Sequence, residues 1–211
     1  MRTRQKVRIL LAPLLISISL TAVPQENGPA RKPYVEPGDR WVYRATGYQR
    51  EGFERFQVSV TFVNEKTIYA VYTGNDGKEA DTTWTREWNI LIDPDGIIFQ
   101  PSSLTFRFPI KTGDSREYEF ETLRTRAGYP TINSRKSWVD GWEDVEVPAG
   151  KFRAMKIRIE GSTRRKDTQA PVATSGAELW YVPDVERWVK AVYRFPSYTR
   201  TEELVEFKLN K

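Results

Sequence analysis

Apolar and polar residues alternate with a period of two along most of the chain. Phe56, Val58 and Val60 alternate with Gln57, Ser59 and Thr61. Tyr118 and Phe120 are set between Glu117, Glu119 and Glu121, and Met155, Ile157 and Ile159 alternate with Lys156, Arg158 and Glu160. Trp84, Trp88, Ile90 and Ile92 share one parity, and Val205, Phe207 and Leu209 close the chain in the same rhythm. This is the pattern of strands with one packed face and one wet face, which antiparallel sheets allow. No segment after residue 22 carries a sustained helical stripe. Gly74-Asn75-Asp76-Gly77, Asp93-Pro94-Asp95-Gly96, Pro148-Ala149-Gly150 and Pro183-Asp184 separate the apolar runs and supply turn residues. The pattern predicts an all-β fold of about ten to twelve strands. Its form is a curved antiparallel sheet, wrapped as an open barrel or a sandwich. The segments 124–136 and 161–176, basic and polar respectively, read as loops, the second mobile because it buries little.

The N-terminus changes the reading of charge. Arg2, Arg4, Lys6 and Arg8 precede an apolar stretch from Ile9 to Leu20, too short to span a bilayer and suited to a secretory signal. Residues 1–22 are therefore expected to be removed, with cleavage after Ala22 or as late as Ala30. Residues 23–36 read as an exposed leader and 37–211 as one β-rich domain. The chain has 33 basic and 28 acidic residues, but four of the basic ones lie in the signal. The exported part is nearly neutral, which removes the basic footprint that nucleic-acid binding needs. Cysteine is absent, so neither a disulfide nor lipidation at a signal cysteine is available. A periplasmic or secreted location is expected.

Histidine is absent as well. Ser-His-Asp and Cys-His nucleophilic sites, His/Cys zinc sites and His-ligated haem cannot be assembled. No cofactor, metal site or catalytic residue is expected. Asp140, Glu143, Asp144 and Glu146 have two readings, a carboxylate pair for hydrolysis or the wet face of a strand. Asp93-Pro94-Asp95-Gly96 lacks the further oxygen ligands of a calcium loop and reads as a turn.

Seven tryptophans remain to be explained. They can fill a core, line an apolar groove or form a stacking platform for sugars. Trp142, Trp180, Trp188, Trp84 and Trp88 are the candidates for ligand contact. Gly38-Asp39 and Gly113-Asp114 recur at an offset of 75, each opening a strand, which shared turn chemistry or a duplication explains.

The stretch V-P-A-G-K-F-R-A-M-K-I (Val147 to Ile157), preceded by G-W-E-D-V, resembles a family of uncharacterised bacterial exported β-rich domains. L-W-Y-V-P-D-V-E-R-W-V-K (Leu179 to Lys190), P-G-D-R-W-V-Y (Pro37 to Tyr43) and F-P-I-K-T-G-D (Phe108 to Asp114) extend the resemblance from Pro37 to Leu209. It implies a secreted antiparallel β-fold and no catalytic residues. The architecture is also loosely similar to periplasmic lipoprotein carriers, whose curved half-barrels hold acyl chains. Together these readings predict a non-catalytic periplasmic binding or envelope-maintenance module. Its partner is a lipid or other apolar ligand, or alternatively an envelope protein held at a sheet edge or by the 161–176 segment. A carboxylate-based hydrolase is the third reading. No transmembrane segment is expected after signal cleavage.

Overall fold

A computed structural model describes residues 28–47, 54–125 and 128–210; the expected signal segment 1–22 and residues 23–27 lie outside them. Twelve strands follow one another in the chain: β1 (Arg40–Thr46), β2 (Glu54–Val63), β3 (Thr67–Thr73), β4 (Glu79–Thr85), β5 (Ile90–Ile92), β6 (Ile98–Gln100), β7 (Ser115–Arg124), β8 (Thr131–Val147), β9 (Gly150–Arg165), β10 (Pro171–Val182), β11 (Arg187–Arg194) and β12 (Thr199–Lys208). Each pairs antiparallel with its sequence neighbours, and β1 pairs with β12, so the sheet closes into a barrel. Closure removes every free sheet edge. Among the described residues no helix is long and apolar enough to cross a membrane.

The alternation in the sequence becomes an inside and an outside. Along β7, Tyr118 and Phe120 face the interior while Glu117, Glu119 and Glu121 face out, paired with Lys136, Arg164 and Lys166. Elsewhere on the outer wall Arg44 pairs with Glu203, Arg158 with Asp140 and Arg194 with Glu178. Such exposed pairs stabilise little singly. Collectively they give a charged outer wall, unlike the apolar band of a lipid-facing barrel.

Two segments read as loops are mostly strand. β9 and β10 take up all of 161–176 except the turn at 166–170, and β7 and β8 leave only 125–130 between them. The polar sequence of 161–176 buries little, as read, but the pairing Ser134↔Ser162 and Ser162↔Thr174 satisfies its backbone from both sides. Ladder hydrogen bonds order it where side-chain burial does not.

The antiparallel order gives the barrel two ends. The upper end carries the β3–β4, β5–β6, β9–β10 and β11–β12 hairpins. The lower end carries the β4–β5 turn, the 101–114 segment, the β8–β9 hairpin and a 3-10 turn at Pro183–Val185. Buried side chains hold the lower cover in place. Asn89 bonds both backbone groups of Phe106, at 3.0 and 2.6 Å, and Ser103 accepts from the Ile90 N–H at 3.0 Å. These bonds meet the backbone polarity of an enclosed loop.

The leader forms part of this cover, contrary to the exposed course expected for it. Ala30, Pro33 and Val35 are buried, and Ala30 exchanges backbone hydrogen bonds with Ile110 at 2.8 and 3.0 Å. These three apolar residues pack on the lower end, while Arg31, Lys32 and Tyr34 between them stay exposed.

The two Gly-Asp motifs adopt one turn geometry. Gly38 donates to Val60 and Val60 to Asp39, both at 2.9 Å. Gly113 donates to Val139 and Val139 to Asp114, again at 2.9 Å. Both glycines have positive φ, 94° and 84°, which a side chain disfavours.

Candidate functional site

A cavity of about 790 Å³ occupies the upper lumen, within the size range of small-molecule sites, about 300–1,000 Å³. Its lining runs from Trp84, Trp88 and Trp188, all buried, to Asp95 and Phe195, which are exposed in the β5–β6 and β11–β12 hairpins. The cavity therefore reaches solvent. Ile90, Phe99, Phe106, Phe120, Leu179 and Tyr193 make the wall between floor and rim mainly apolar.

Three of the five tryptophans singled out from the sequence meet at the floor. Trp84 and Trp88 pack edge-on with ring centres 5.5 Å apart, Trp84 and Trp188 are 5.9 Å apart, and Phe106 stacks on Trp188 at 5.9 Å. Trp88 sits in the β4–β5 turn with φ 59°, and its indole N–H donates to the Glu186 carbonyl at 2.7 Å. Trp188 owes its inward position to a bulge. Trp180 pairs with Lys190 and Tyr181 with Trp188, so Val189 is the extra residue, and Trp188 before it faces opposite to Lys190 after it.

Trp180 and Trp142 do not line the cavity. Trp180 lies under the ammonium groups of Lys156 and Lys190, at 5.0 and 5.6 Å, and donates to Glu143. Trp142 is at the lower end, where its indole N–H donates to the Gly28 carbonyl at 2.8 Å. The acidic cluster of β8 faces cations on β9: Asp140 with Arg158, Glu143 with Lys156, Asp144 with Arg153 and Glu146 with Lys151. This is a cross-strand ladder. Asp93 accepts from the backbone N–H groups of Asp95 and Ile97, both at 2.9 Å, as a turn residue does.

Sequence reasoning missed Arg187. The residue is 2% exposed, and its central guanidinium carbon lies 4.0 Å from the ring centres of both Trp88 and Trp188. Trp84, Trp41 and Tyr43 complete an aromatic cage at 5.0, 5.5 and 6.0 Å. Burial pushes the guanidinium pKa down, while the Tyr43 hydroxyl and the Glu202 carboxylate oppose that shift. Nε and Nη1 of Arg187 have no hydrogen-bond partner, nor do the indole nitrogens of Trp84 and Trp188. The V-E-R-W-V run, two charges between apolar residues just after a turn, was the available signal. It breaks the alternation.

Higher in the lumen Arg200 donates to Glu202 at 2.9 Å and to Glu54 at 3.4 Å. Arg135, over the Phe120 ring, donates to the Ser134 and Ser162 carbonyls and to the side chains of Asn133 and Thr163. Burial lowers its pKa too. Glu186, buried beside Arg187, accepts two bonds of 3.0 Å from Arg31 and one of 2.8 Å from the Tyr34 N–H. Among the described residues no group of three or more acidic side chains is placed to hold a metal ion.

No protein-family model matches the chain, and no curated protein does. Among solved structures it is similar to a protein described as a lipoprotein from Parabacteroides distasonis, at 16% identity and TM-score 0.48, over 87% of this chain and 100% of the other. An exported protein of YmcC-like fold from Bacteroides fragilis has 13% identity and TM-score 0.47, over 86% and 100%. The hypothetical lipoprotein YmcC of Escherichia coli has 7% identity and TM-score 0.47, over 80% and 84%.

Proposed function

We propose that this protein is a non-catalytic periplasmic binding module of the cell envelope whose barrel lumen takes an apolar or acyl ligand. The observation that carries the reading is the cavity of about 790 Å³. It is walled by aromatic and aliphatic side chains and reaches solvent between two hairpins. Packed interiors leave few voids larger than a water molecule. A lumen of this size is therefore a chamber, not a packing defect. Each methylene moved from water into it contributes about 0.8 kcal/mol. The secretory signal and the charged outer wall suit a periplasmic carrier. The lumen carboxylates Glu54 and Glu202 are paired with Arg200.

The alternative of a protein-interaction module depended on a sheet edge or a mobile 161–176 segment. The closed ladder leaves no free edge among the described strands, and the 161–176 segment is paired in β9 and β10, so neither feature supports that alternative.

The test is uptake of the neutral probe N-phenyl-1-naphthylamine, read by its fluorescence. Ala177→Trp narrows the lumen, because Ala177 lines it. Wild-type protein should take up the probe in a saturable manner, and Ala177→Trp should weaken uptake at least about tenfold, the order of 1.4 kcal/mol. Trp142→Phe and Trp180→Phe should leave uptake unchanged. No uptake by the wild type, or equal uptake by Ala177→Trp, defeats the reading.

A further inference from the structure

The floor of the lumen has donors without an acceptor. Nε and Nη1 of Arg187 and the indole N–H groups of Trp84 and Trp188 are all buried and unpartnered. They share one cage, since the Arg187 guanidinium lies 5.0 Å from the Trp84 ring centre and 4.0 Å from that of Trp188. Buried donors left bare are costly, and native proteins keep few of them. The other indoles of this cover are satisfied: Trp41 donates to Val185 at 2.8 Å and Trp88 to Glu186 at 2.7 Å. The unpartnered indoles, Trp84 and Trp188, are also ones that line the cavity.

The charge local to Arg187 points the same way, although lumen and rim together carry four carboxylates against three guanidiniums. Inside the barrel Arg187, Arg200 and Arg135 stand against Glu54 and Glu202, with Asp93 and Asp95 at the rim. Glu54 and Glu202 both serve Arg200, at 3.4 and 2.9 Å. Arg187 is left with the Tyr43 hydroxyl, the more distant Glu202 field and the faces of aromatic rings. A buried charge is costly unless paired.

We infer that the floor of the lumen binds the carboxylate of a single-chain amphiphile inserted head first, with Trp84 and Trp188 donating and Arg187 supplying the balancing charge. The inference rests on the lumen being a binding chamber and names what fills it. A monoanion matches one guanidinium, whereas a phosphate monoester brings about −1.5 to −2 charges into the same apolar site. The apolar wall above the floor accommodates the chain. The donors are enclosed by the Trp84, Trp88 and Trp188 rings. The head therefore reaches them by displacing a floor ring, either Trp84 or Trp188 together with the Phe106 ring stacked on it.

Calorimetric titration with tetradecanoic acid, tetradecan-1-ol and monododecyl phosphate at pH 8 tests this. Wild-type protein should bind the acid at least about tenfold tighter than the alcohol, the scale of charge-assisted hydrogen bonds. It should also bind the acid tighter than the phosphate. Arg187→Met should bring the acid-to-alcohol ratio close to one. If that variant fails to fold, Trp84→Phe/Trp188→Phe decides: it keeps the arginine, loses both N–H groups and should reduce the ratio several-fold. Equal wild-type binding of acid and alcohol overturns the inference and leaves the lumen reading standing, as does tighter binding of the phosphate. Binding of none of the three removes both.

Discussion

The carboxylate of Glu186 accepts two hydrogen bonds of 3.0 Å from the guanidinium of Arg31, 155 residues earlier in the chain. Glu186 is fully buried and Arg31 about half exposed, so the pair fastens the leader to the lower end from below. Glu186 also occupies the left-handed region at φ 60°, a conformation that costs a non-glycine residue energy. Its contacts with Arg31 and Tyr34 offset that cost. Glu186→Ala should destabilise the protein by about 2 kcal/mol, the scale of hydrogen bonds to a charged group. For a chain of this size that lowers the melting temperature by roughly 4–8 °C. Hydrogen exchange should accelerate selectively at residues 30–36. An unchanged melting temperature with no change in exchange there contradicts this role.

The same strap yields a prediction for the cleavage position. Cleavage after Ala30 would remove the Ala30–Ile110 bridge and the Gly28 carbonyl that holds Trp142. Cleavage after Ala22 leaves both intact. The intact mass of the exported protein should correspond to loss of residues 1–22. A mature chain that begins at Arg31 contradicts the assignment of Gly28–Ala30 to the fold.

Alkaline pH should unfold the barrel. Burial raises the phenol pKa of Tyr43, Tyr181 and Tyr193, and that of Tyr72 to about 12. In the unfolded chain these groups ionise near pH 10. Above that pH the folded state holds more protons than the unfolded state, so stability falls as pH rises. The loss is up to about 1.4 kcal/mol per pH unit for each fully buried tyrosine, and less for Tyr72. Stability is therefore retained below pH 10 and lost progressively from about pH 10 upward, the Tyr72 share by about pH 12. Tyrosinate absorbance should rise together with the loss of far-ultraviolet β-signal. Titration of all ten tyrosines near pH 10 without unfolding contradicts the burial described.

Alternation was a sufficient guide where a strand is regular. Tyr118 and Phe120 face inward and their glutamate neighbours outward, as the period of two requires. It was insufficient wherever tertiary structure resets the phase. Trp180 and Trp188 look equivalent in sequence, yet the Val189 bulge sends one to the outer wall and the other to the lumen floor. Trp88 lies in a turn, where no periodicity specifies a face. Arg187 was hidden for another reason: a charged residue at a strand end reads as solvated unless five aromatic rings, four of them distant in sequence, converge on it. Barrel closure was equally illegible, because the β1–β12 pairing joins segments separated by nearly the whole domain.

The central claim is that the lumen is a ligand chamber. Native mass spectrometry of the protein purified from its own periplasm, without detergent, tests it most directly. The claim predicts a mass excess of one small apolar acid, released on denaturation and absent from Ala177→Trp. Wild-type protein that is consistently empty, and stays empty after incubation with tetradecanoic acid and with tetradecan-1-ol, contradicts it.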